Sequence, residues 1–226
     1  MVRYAIVGVV WLFAAGAWAQ QASPPSDSSA PIAGKAVVPM EEPRPGDSWT
    51  YEVHDEITGA KTATRENVVT EVTPSEVSLR FKILGNSNDG FTLYDRSWNM
   101  MSAPPWKYSP NDGTGIKAPL AVGKTWTLRS NNTNAGAGAT WNRSGNSKVV
   151  AQESVTTRAG TFETFKIETT YSDRNVADPT RKEDVTLVTW YAPLIDHWVK
   201  RTFVLRVEGH LKTNTTVELV DYGRKK

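Results

Sequence analysis

"GDSWTYEV", Gly46–Val53, and "GKTWTLRS", Gly123–Ser130, share one phrase: Gly, one residue, Ser or Thr, Trp, Thr. In the first copy Trp49, Tyr51 and Val53 alternate with Thr50, Glu52 and His54. That two-residue period is the mark of a half-buried strand. Val77, Leu79, Phe81 and Ile83 alternate in the same way with Ser78, Arg80 and Lys82. Near the end Val199, Phe203, Leu205 and Val207 interleave with Lys200, Thr202 and Arg206, and Arg201 breaks the apolar row. Val217 and Leu219 continue the pattern. Thr and Val recur throughout, and branching at Cβ suits both to a pleated surface.

The punctuation between these runs fits hairpins. "NDG" occurs at Asn88–Gly90 and at Asn111–Gly113, a composition that supplies positive φ in tight turns. "RAGTF", Arg158–Phe162, reads as the tip between strands over 148–157 and 161–171, and "EGHLKTN", Glu208–Asn214, as a bend near Gly209. No helical window of convincing length follows the N-terminal segment. The fold class expected is all-β: a strongly curved antiparallel sheet shaped as a half-barrel or clamshell. Further matches keep the order of the opening phrase: Val68-Val69 with Val149-Val150, Phe81–Ile83 with Phe165–Ile167, and Phe91–Tyr94 with Val185–Val188. Their offset grows along the chain, as small turn insertions would produce, and predicts two similar halves of about 80 residues. Three stretches interrupt the pattern and are expected as long loops: 99–121, 131–146 and 172–180.

The N-terminus reads as an address. Arg3 precedes an apolar run, and Ala17 and Ala19 occupy the small-residue positions of a signal-peptidase site. The run is short of the roughly 20 residues a spanning helix needs. The expected organisation is a signal peptide over 1–19 cleaved after Ala19, a Ser/Pro/Ala-rich disordered tether over 20–45, a single β domain over 46–222 and a basic tail over 223–226. The mature chain is expected to be periplasmic or secreted, without a membrane span. The chain has no cysteine. Disulfides, a thiol nucleophile and lipid attachment through cysteine are therefore excluded. A formal net charge of +2, with no concentrated basic face, argues against nucleic acid as a partner.

From about Pro119 the text is more specific: Gly123 with Trp126, "AGTFETFKI" over Ala159–Ile167, Trp190-Tyr191-Ala192-Pro193, then Val199-Lys200-Arg201. This run resembles a group of uncharacterised bacterial secreted β proteins labelled TapB-like, domains of unknown function. The resemblance covers about the last hundred residues. It implies an envelope location and a twisted antiparallel sheet, and no activity. A looser analogy is the half-open barrel of periplasmic lipid and lipoprotein carriers, which concerns fold alone.

Chemistry is sparse. His54, His197 and His210 lack partners at metal-ligand spacing, and Glu208 with His210 gives two ligands at most. There is no GxSxG elbow, HExxH or phosphate loop. No catalytic residue, metal ligand or cofactor is expected, and the chain reads as a non-enzyme. The excess lies in aromatics. Trp49 and Trp126 belong to the repeated phrase and are expected in the core. Trp98, Trp106, Tyr108 and Trp141 lie in or beside irregular segments. Together with Met100 and with Trp190 of the "TWYAP" hairpin they form the candidate ligand-lining set. The leading functional expectation is an amphipathic envelope ligand in a concave sheet face. The alternatives are a carbohydrate- or peptidoglycan-binding module, with a glycan on exposed aromatics, and a structural accessory subunit with an envelope protein as partner.

Overall fold

The computed structural model describes residues 40–224. Its strands are β1 (Ser48–Asp55), β2 (Ala60–Val72), β3 (Glu76–Ile83), β4 (Asp89–Asp95), β5 (Met100–Ala103), β6 (Trp106–Ser109), β7 (Thr125–Asn134), β8 (Ala139–Thr157), β9 (Gly160–Asn175), β10 (Lys182–Ala192), β11 (His197–Val207) and β12 (His210–Gly223). Each strand pairs antiparallel with the next. β1 also pairs with β12, placing Trp49 opposite both Asn67 and Tyr222. The sheet is therefore a closed barrel rather than the expected half-barrel or clamshell. Closure leaves no unpaired edge among these strands, and hence none of the exposed N–H and C=O groups that invite pairing with another chain.

Three expected loops are corrected. The stretch 99–121 contains β5 and β6, and most of 131–146 belongs to the β7–β8 hairpin, whose tip is Ala135–Gly138. Of 172–180, Ser172–Asn175 still belongs to β9. The "RAGTF" tip and the bend at Gly209 are where they were expected; Glu208 and Gly209 both have positive φ (52° and 78°), the geometry of a two-residue hairpin turn. Of the expected tether, residues 20–39 lie outside the described residues, as does the signal segment. Met40 is fully buried and donates its N–H to the Leu194 carbonyl at 2.7 Å.

Parity decides which side chains enter the barrel. Trp49, Tyr51, Val69, Val77, Leu79, Val149, Ile167, Val199 and Leu219 point inward and pack with Trp98, Ile195 and Trp198 into an apolar core. Apart from Val149 and Ile167, midway along β8 and β9, the inward strand residues come from the start of β1, β3 and β11 and the end of β2 and β12, so one end of the barrel is filled. Outward positions carry charge instead, as with Arg80 and Lys82, both exposed. A lipid-facing barrel would present an apolar band there.

The repeated phrase has matching local geometry. Gly46 (φ 93°) donates its N–H to Val69 O, and Val69 N–H donates to Asp47 O. Gly123 (φ 91°) donates to Val149 O, and Val149 N–H to Lys124 O. A register shift follows each valine, between Val69 and Glu71 and between Val149 and Ala151. The left-handed φ explains glycine at both positions.

Candidate functional site

Away from the apolar plug the inward positions change character. β2 offers Arg65 and Asn67, β7 Ser130 and Asn132, β8 Trp141, Arg143 and Ser147, β9 Thr169, Tyr171 and Asp173, and β11 Arg201, Phe203 and Leu205. At this end Trp106, Tyr108, Arg143, Tyr171, Asp173, Glu183, Val185, Phe203 and Leu205 surround a cavity of about 140 Å³. Its lining is mixed, mostly aromatic and aliphatic with Arg143, Asp173 and Glu183 among them, as small-molecule sites commonly are.

The charged groups there are organised around Arg143. Its Nε donates to Asp173 Oδ1 at 2.8 Å and its Nη2 to Asp173 Oδ2 at 2.7 Å, a bidentate pair. The guanidinium lies 3.9 Å from the centre of the Tyr171 ring. Burial pulls the Arg143 pKa down, but the Asp173 carboxylate and the neighbouring negative partners hold it above its ordinary range. Burial pushes the Tyr108 hydroxyl up to about 12, so it stays protonated at neutral pH. Glu183, opposite Asp173 on the β9–β10 ladder, is pushed up by burial and by the Asp173 charge. Asp112 accepts from Met100 N–H (2.8 Å) and from Thr114 N–H (3.2 Å) and hydroxyl (2.6 Å), and it lies 4.0 Å from Arg143.

Deeper in, His197 closes the lumen. Its ring stacks on Trp49 at 4.4 Å and meets Trp98 edge-on at 4.6 Å. Nδ1 is 2.5 Å from the Tyr51 hydroxyl, which also reaches the Trp198 carbonyl at 3.0 Å. One hydroxyl proton cannot serve both. With Tyr51 donating to the carbonyl, His197 Nδ1–H donates to Tyr51, and Nε2 keeps a lone pair without a partner. Burial lowers the His197 pKa well below its usual value, and the charge of Arg201 lowers it further. The ring is therefore neutral.

The six sequence candidates separate. Trp106 and Tyr108 line the cavity, and Trp141 lies on an inward position of β8, with Arg181 5.3 Å from its ring centre. Trp98 is 2% exposed in the apolar plug, and Met100 packs against the same core. Trp190 faces outward: its indole N–H donates to Glu153 at 2.6 Å, and Lys166 and Lys200 flank its ring. Sequence reading passed over Arg65, Arg143 and Asp173. It noted Arg201 as a break in an apolar row, and that break was the available signal: a charge at inward parity belongs to a lumen rather than to solvent. Among the described residues, no group of three or more His, Cys, Asp or Glu could hold a metal ion, and the place between Asp112 and Asp173 is taken by the Arg143 guanidinium. No helix among the described residues is long and apolar enough to cross a membrane.

No family model matches the chain, and no curated protein matches it. Solved structures do share its fold. A candidate lipoprotein from Parabacteroides distasonis superposes with a TM-score of 0.54 at 14% identity, covering 82% of this chain and 99% of its own. A candidate exported protein with a YmcC-like fold from Bacteroides fragilis gives 0.53 at 17% identity, covering 83% and 100%. At such identities the likeness establishes the architecture, an all-β barrel found among bacterial exported proteins, and nothing about activity.

Proposed function

We propose that this chain is a non-catalytic protein of the bacterial cell envelope that holds an amphipathic ligand in the lumen of its barrel, entering at the end opposite the aromatic plug. The barrel is read as a duplicated six-strand unit, β1–β6 and β7–β12, each half opened by its Gly-x-Ser/Thr-Trp-Thr phrase. The envelope location follows from the N-terminal address and accords with the exported and lipoprotein descriptions of the structural neighbours. The observation that carries the binding reading is the mixed lining of the 140 Å³ mouth cavity, where Trp106, Phe203 and Leu205 face Arg143 and Asp173. A purely structural barrel of this kind would fill both ends alike with packed side chains.

Organic extraction of the folded protein purified from its native envelope, followed by mass spectrometry, tests this. A stoichiometric amphiphile is expected, and it is expected to disappear in the Trp106→Glu and Phe203→Glu variants. A blank from protein shown to be folded would overturn the reading. The closed ladder gives strand-edge docking of an accessory subunit no support.

A further inference from the structure

Two arginines stand deeper in the lumen than Arg143 and lack its partner. Arg201 takes an inward position of β11, in line with Val199 and Phe203, and keeps accessible surface there. Its Nε donates to Thr189 Oγ1 at 3.0 Å, its Nη2 reaches Thr114 O at 3.4 Å, and the guanidinium lies 3.8 Å from the Trp198 ring centre. Arg65 behaves alike: accessible surface, one hydrogen bond from Nε to Asn67 Oδ1 at 2.9 Å, and Phe81 at 4.3 Å from its guanidinium carbon. Among the described residues no carboxylate comes within 4.0 Å of either guanidinium. Asp112, the interior carboxylate whose charge acts on Arg201, is engaged by Thr114, Met100 and Arg143. A guanidinium offers five N–H donors, and most of those on Arg65 and Arg201 find no protein acceptor.

The two residues are on one stretch of wall. Arg201 lies opposite Val217, Val217 opposite Val53 and Val53 opposite Ala63, so Arg65 stands three inter-strand steps, roughly 14 Å, and two residues along the strand from Arg201. Tyr51, opposite Arg65 on the intervening β1, is influenced by both guanidinium charges. Withdrawing a cation from bulk water opposes folding unless its partners compensate, and the aromatic contact and few hydrogen bonds of each arginine leave most of its donors without an acceptor. Arginine also matches planar oxyanions better than any other side chain.

We propose that Arg65 and Arg201, both at inward positions near the His197–Trp98 plug, form the seat for an anionic headgroup, a carboxylate or phosphate, whose apolar tail leaves past Phe203 and Leu205. This rests on the lumen-binding reading and names the chemistry of its ligand. The headgroup enters first, because the cations are at the closed end of the lumen and the apolar side chains at the mouth.

Calorimetric titration of the purified full chain with dodecanoate, dodecyl phosphate, dodecanol and inorganic phosphate separates the two claims. Dodecanoate or dodecyl phosphate is expected to bind about 10- to 100-fold more tightly than dodecanol, the range that charge-assisted hydrogen bonds supply. Arg65→Met and Arg201→Met should each lose that preference while binding dodecanol as before. Both replacements keep an unbranched apolar stem, and a thermal melt confirms the fold. Arg201→Lys, which keeps the charge and loses the fork, should fall between. Equal affinity for anionic and neutral amphiphiles, unchanged in the variants, overturns the headgroup seat and leaves the lumen reading standing. Inorganic phosphate binding as tightly as dodecyl phosphate places a free oxyanion on the arginines and overturns the amphiphile. No binding of any of the four overturns both.

Discussion

His197 sits between three indoles as a neutral ring. Its folded pKa lies below the unfolded value of about 6.5, so below that pH the unfolded chain takes up a proton that the folded ring refuses. Stability from this residue is present above about pH 6.5 and falls as the pH drops, by at most about 1.4 kcal/mol per unit. His197→Phe keeps the stack and removes the titration. Urea unfolding at pH 7.5 and 5.5 should show the difference between variant and wild type moving in the variant's favour by about 1.4 kcal/mol, and an unmoving difference would refute the neutral buried ring. Its neighbour has the opposite sign. Burial pushes the Asp196 carboxyl up to about 6, against the hydrogen bond it accepts from Tyr191 at 2.6 Å. The folded chain holds that proton where the unfolded chain has lost it, so this contribution is complete below about pH 3.8 and is lost as the pH rises through 6. Asp196 has φ 44°, a conformation that Asn tolerates. Asp196→Asn should therefore gain on the wild type by roughly 1–2 kcal/mol between pH 4 and 7, measured by the same unfolding series.

Elements were legible wherever one strand face is apolar. β3, the start of β11, and the β8–β9 hairpin tip followed from alternation and turn chemistry alone. The β7–β8 hairpin did not, because its inward row of Ser130, Asn132, Arg143, Gly145 and Ser147 is polar or small on the lumen side, which erases the period-two signal. β5 and β6 hold four residues each around Pro104 and Pro105, too short for any period to register. The same polar inward faces hid the candidate site: Trp106 and Tyr108 were found as aromatics, while their charged neighbours had no local signature. The repeated phrase gives an element-level prediction. At Gly123 an added Cβ would meet nothing within 4 Å, so Gly123→Ala costs only the strain of its φ of 91°, about 1–2 kcal/mol. If the halves are equivalent, Gly46→Ala, at φ 93° with the same carbonyl contact to its valine, loses a similar amount by denaturant midpoint. A loss at one position with none at the other would separate the two halves.

Closure belongs to the whole molecule, and no local pattern encodes it. Alternation assigns each strand its inner face but does not say whether the first and last strands meet, which depends on the accumulated tilt and stagger of all the strands between them. Here Ser48 lies opposite Gly223 on the closing ladder, so the start of the first strand and the end of the last are neighbours. A loop of about 2–5 residues, the length of ordinary hairpin connections, should join them. The link between β6 and β7 runs through an exposed stretch at Lys117–Pro119 and again at Ala121–Val122. A circular permutant of residues 40–224, joined at its old ends and opened between Pro119 and Leu120, keeps every strand pair and places β7–β12 ahead of β1–β6. It is expected to unfold cooperatively, with near-ultraviolet circular dichroism matching the parent, because the tryptophan cluster around His197 draws on both halves: Trp49 and Trp98 from the first, Trp198 from the second. A permutant with native secondary structure but no fixed aromatic signal would mean that the β1–β12 seam forms only in the original chain order. The barrel would then be one sheet that closes late in folding rather than two units that meet.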